Sequence, residues 1–141
     1  MNGRFLISFF YLFIFYLKIN KISIFGRFIY GKLLLENSPE EGFTLLMDVA
    51  EEGYPPALYL IYQCFLNGVG AEKSNKDALH WLEKCAETGL ADALFDLALV
   101  NLGHTDLPLV SKNPQEAKET IVELSENGYE NAIEFLKENK L

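Results

Sequence analysis

The chain is 141 residues long, enough for one domain and too short for two ordinary ones. Half of it is apolar, which excludes a globally disordered chain, and a formal charge of −8 argues against a nucleic-acid binder that works through a basic face. Two cysteines build no disulfide framework, and with two distant histidines they supply no zinc site. The charge is a mean of two unlike segments. Residues 1–35 hold five basic residues and no acid, whereas residues 36–141 hold all 20 acids against seven lysines, giving +5 and then −13.

Residues 1–19 read as an apolar leader. From Phe5 to Leu17 no residue is charged, and Arg4 and Lys18 bound the run. As a helix it spans about 20 Å, less than the roughly 30 Å hydrocarbon core of a bilayer. Three readings stay open: a short membrane anchor, a signal peptide, and an apolar helix packed on the rest of the chain. Membrane contact through residues 5–17 would leave the body on the cytoplasmic side, because Lys18, Lys21, Arg27 and Lys32 follow the run. A signal peptide would place it outside the cytoplasm, but no small-residue cleavage site follows.

Residues 20–141 repeat. Glycines at 53, 89 and 128 are each followed four residues later by an alanine, at 57, 93 and 132. Fifteen residues before each glycine stands a helix-capping residue (Ser38, Ser74, Asn113), and three residues after each cap an acid (Glu41, Asp77, Glu116). That is the capping-box pattern, in which side chains satisfy the orphan N–H groups of a first turn. Between cap and glycine the slots Gly42, Leu46, Val49 and Ala50 correspond to Ala78, Leu82, Cys85 and Ala86, and then to Ala117, Ile121, Leu124 and Ser125. Steps of four, three and one place each set on one helical face. A second helix is expected from each alanine: Ala57 to Asn67, Ala93 to Leu102, and Ala132 to Asn139. The units are helical hairpins over about 20–53, 54–89 and 90–128, with a terminal helix at 129–141. A lone hairpin cannot bury its apolar face, and stacked ones can. The fold class is therefore an all-α solenoid of about three α-α hairpins.

The stretch Ala57, Ile61, Phe65, Gly68, Gly70, then Ala78, Trp81, Lys84, Ala86 and Gly89, resembles the Sel-one-like repeat, a relative of the tetratricopeptide repeat. One unit matches strongly and the rest of residues 20–141 more weakly. In this family a glycine after the leucine allows two helices to approach closely. Here Tyr62 and then Ala98 hold that slot, which implies a wider crossing or a ring turned out of the seam. The cysteine spacings of the family's secreted, disulfide-pinned members are not those of Cys64 and Cys85.

Little in the chain reads as catalytic, and no cofactor is expected. Cys85 shares a slot with Val49 and Leu124, and Cys64 shares one with Val100, so both read as small buried hydrophobes. His80 falls on a solvent-facing slot and His104 in a loop. Trp81 reads as core. Gly68-Val-Gly70 lacks the strand and lysine of a phosphate loop. The resemblance implies non-catalytic protein or peptide binding on the concave side, which the first helices of successive hairpins line. Removing the slots that match buried positions leaves Tyr59, Gln63, Phe95, Asp96 and Leu99 as expected partner contacts, suited to a partner with basic and apolar residues. The alternatives are a bacterial accessory or immunity-type protein that neutralises one toxin or enzyme, and a small helical hydrolase using Cys64 or His104.

Overall fold

The computed structural model describes residues 23–108 and 113–140. The leader 1–19, with its expected helix and membrane contact, lies outside them. Among the described residues there are seven helices and no strand. They are α1 (Ile24–Asn37), α2 (Pro39–Glu51), α3 (Pro55–Asn67), α4 (Asn75–Ala86), α5 (Ala91–Asn101), α6 (Pro114–Glu126) and α7 (Glu130–Asn139). Each packs on its neighbours in the chain, so α1–α2, α3–α4 and α5–α6 are stacked hairpins and α7 closes the array.

The breaks between helices follow one recipe. After α2 the N–H of Gly53 donates to Ala50 O at 2.9 Å and that of Tyr54 to Val49 O at 3.4 Å. After α6, Gly128 and Tyr129 do the same to Ser125 and Leu124, each at 3.0 Å. This is the Schellman closure, and its left-handed residue is cheapest as glycine. The next residue (Tyr54, Leu90 or Tyr129) is extended and opens the following helix. Those helices start at Pro55, Ala91 and Glu130, two residues before the expected alanines. Tyr54 O already accepts the N–H of Ala57, so the first turn precedes the alanine. The alanines Ala57, Ala93 and Ala132 are fully buried where helices meet.

The caps are less uniform than their spacing. Ser74 and Asn113 accept the N–H of Asp77 and Glu116. Ser38 makes no side-chain cap; its N–H donates to Leu34 O and ends α1. It is the single residue between two helices, so its backbone serves the first helix. Asp77 does not reach back to a backbone N–H, because its carboxylate takes the Ser74 hydroxyl at 2.5 Å.

The first hairpin is drawn together by glycines. A Cβ on Gly42 would lie 2.5 Å from Leu35 N, and one on Gly31 would lie 2.8 Å from Leu46 Cγ, so α1 and α2 meet at backbone distance. Arg27 and Glu52 clamp its end with two bonds of 2.6 and 2.7 Å. The core divides into two clusters. Leu46, Leu58, Ile61, Trp81 and Leu82 centre the first two hairpins, and Phe95, Ile121, Leu124 and Ala132 join the third to α7.

Candidate functional site

The first helices of the hairpins, α1, α3 and α5, share a groove of about 290 Å³. Phe28 and Lys32 come from α1, Pro56, Tyr59, Leu60 and Gln63 from α3, and Leu90 and Asp92 from the start of α5. Two of the five expected contacts, Tyr59 and Gln63, are thus in one concavity. Phe28, Lys32, Pro56, Leu60, Leu90 and Asp92 line it without being among the expected contacts. The repeat offset points to Leu60, since the expected Asp96 stands 36 residues after it.

Beside the groove runs a ladder of phenols and carboxylates that spans three helices. Tyr59 donates its hydroxyl to Asp96 Oδ2 at 2.8 Å, and Tyr129 donates to Asp92 Oδ1 at 2.6 Å. Asn131 Nδ2 donates to the Tyr129 oxygen at 3.1 Å. The Tyr62 ring lies 5.5 Å from that of Tyr59. It is buried, so it is not turned out of the seam.

The electrostatics follow from this half-dry setting. Burial pushes the Asp96 carboxyl above its ordinary value, against the two tyrosine hydroxyls that favour its charged form, and the nearby Asp92 charge raises it further. Burial and Asp96 also hold the Tyr59 and Tyr62 phenols firmly neutral. Tyr129 is pushed up to about 12 by burial and by its bond to Asp92. Among the described residues the only ion pair is Arg27–Glu52, so neither Asp92 nor Asp96 has a cation.

Phe95 corrects the sequence reading. It is 8% exposed, with its ring 5.5 Å from Tyr129 and 6.1 Å from Phe135. It shares a slot with half-buried Tyr59, but α7 packs over it, so it is core and not open surface. Leu99 packs on the same cluster. Asp96 is half-buried, and its carboxylate accepts the Tyr59 hydroxyl behind the groove rather than lining it.

The other candidates are quiet. Cys64 and Cys85 are buried, and burial raises both thiols to about 11. Trp81 is core, with Lys84 Nζ 4.8 Å from the ring centroid. His80 is exposed beside it, and exposed His104 meets Phe135 edge-on at 5.3 Å. Among the described residues no three His, Cys, Asp or Glu gather as a metal site, and no helix is long and apolar enough to cross a membrane. A hollow of about 320 Å³ between α5 and α6 lies within one hairpin rather than across successive first helices.

Seven stacked helices, with hairpins closed by left-handed glycines, define a helical repeat solenoid. The fold matches the crystal structure of a Sel1 repeat protein from Oxalobacter formigenes, with a TM-score of 0.68 at 22% sequence identity. The match covers 78% of this chain and 46% of that one, so this chain spans about half the length of that structure. At that identity the likeness shows the fold alone: this chain is an α-α hairpin solenoid with the fold of that structure. No protein-family model matches the sequence, and no curated protein does.

Proposed function

We propose that residues 20–141 form one non-catalytic binding domain, with hairpin units at about 20–53, 54–89 and 90–128 and a terminal helix at 129–141. Its groove on the first helices takes a peptide or protein partner. The observation that carries this reading is the groove itself, where Phe28, Leu60 and Leu90 lie beside the polar groups of Tyr59, Gln63 and Asp92. An apolar concavity with a few polar groups to fix orientation is the usual form of a recognition site. Helical repeats present such surfaces as a consequence of their stacking. Tyr59 and Gln63 are the partner contacts in this reading; Asp96 supports Tyr59 from behind, and Phe95 and Leu99 support the wall.

Leu60→Arg places a charge in the groove wall from a half-buried position, and His80→Arg is its control on the exposed side of α4. Captured partners should be lost with Leu60→Arg, and with Tyr59→Ala combined with Gln63→Ala, and retained with His80→Arg. Equal retention by all three variants, each shown to be folded by circular dichroism, would sink the reading.

A further inference from the structure

We propose that the groove selects a peptide segment carrying an apolar side chain and, a few residues away, a lysine or arginine whose cation docks at Asp92. The proposal rests on the concave-face reading above and adds the chemistry of the partner. It starts from a change of character along the array. The slot that holds Pro56 in α3 holds Asp92 in α5, so the groove is apolar at Pro56 and Leu60 and carries an acid at the start of α5.

The two carboxylates stand four residues apart on one helix, where like charges repel. Each is held by a tyrosine hydroxyl from an adjoining element, Asp96 by Tyr59 and Asp92 by Tyr129. Those donors orient the oxygens without neutralising them, and among the described residues no cation does so. A guanidinium or ammonium from a partner supplies the missing charge, with the rings of Tyr59 and Tyr129 close by. Lys32, on the α1 side of the groove, carries the opposite sign and repels a base there. The groove is therefore polarised, and a ligand crossing it has one favoured direction. Side chains a few residues apart on an extended chain reach Leu60 and Asp92 together, since both line the one groove.

The test uses the full chain and a displayed library of random twelve-residue peptides. Selected sequences are made synthetically and titrated against wild type, Asp92→Asn, Asp96→Asn, Asp92→Lys and Leu60→Arg. Asparagine keeps an acceptor for each phenol, so the first two variants remove charge and leave the ladder standing. Enriched peptides should carry an apolar residue and a base a few positions apart. Their affinity should fall roughly three- to tenfold in Asp92→Asn, the scale of a partly desolvated ion pair, and less in Asp96→Asn. Asp92→Lys should turn selection toward acidic peptides. Peptides that need Leu60 but carry no base, or that ignore Asp92→Asn, overturn the proposal while the groove reading stands. Peptides indifferent to Leu60→Arg, or a library that yields no binder, overturn both.

Discussion

Gly53 and Gly70 both hold left-handed backbone, with φ of 86° and 70°, and yet they differ in what surrounds them. A Cβ on Gly53 meets nothing within 4 Å, whereas one on Gly70 would strike Pro39 O and come within 2.6 Å of Phe43 Cβ. Gly53→Ala should therefore cost only the backbone strain of about 1 kcal/mol, and Gly70→Ala about 3 kcal/mol, by urea denaturation. Equal costs would mean that the Gly68–Gly70 turn does not pack on α2. At Asp96 the sign of the pH effect is fixed by burial. A carboxyl raised in the folded chain holds its proton more tightly there than in the unfolded chain. Its stabilising contribution is present at low pH and lost as pH rises through the raised value. Wild type should thus gain on Asp96→Asn as pH falls from 7 toward the ordinary carboxylate range, and a pH-independent difference would contradict this. The buried thiols give a third outcome. Cys64 and Cys85 should react with a thiol reagent at pH 8 far more slowly in the folded chain than in urea.

At the scale of elements, the spacing of glycines, alanines and caps made the hairpins legible, because helix termini are set by local chemistry. What spacing left out depends on what packs next. Ser38 and Ser74 occupy the same place in the repeat, but only the Ser74 hydroxyl accepts a capping N–H, since Ser38 is squeezed between two helices. Ser74→Ala should cost about 1 kcal/mol of stability and Ser38→Ala should be close to neutral in the same denaturation assay. Phe95 and Tyr59 make the same point for the site. One slot gave one expectation, yet α7 covers the first ring and leaves the second at the groove. The tyrosine–aspartate bonds join residues 37 apart, which no local pattern specifies. Tyr59→Phe, which keeps the ring and removes one such bond, should cost about 1 kcal/mol.

Across the whole molecule, polarity changes along the chain and again along the groove. A net charge of −8 divides into a basic aromatic segment and an acidic repeat array. The first helices are the expected partner face, and the groove gathers Tyr59 and Gln63 there with Lys32, Leu60 and Asp92. In the proposed function, partners engage α1, α3 and α5 and leave α2, α4 and α6 free. The decisive measurement is hydrogen exchange read by mass spectrometry, with and without a selected peptide at saturating concentration. Exchange should slow in α1, α3 and the first turns of α5, with α4 and α6 unchanged. Protection confined to α2, α4 or α6 would contradict it.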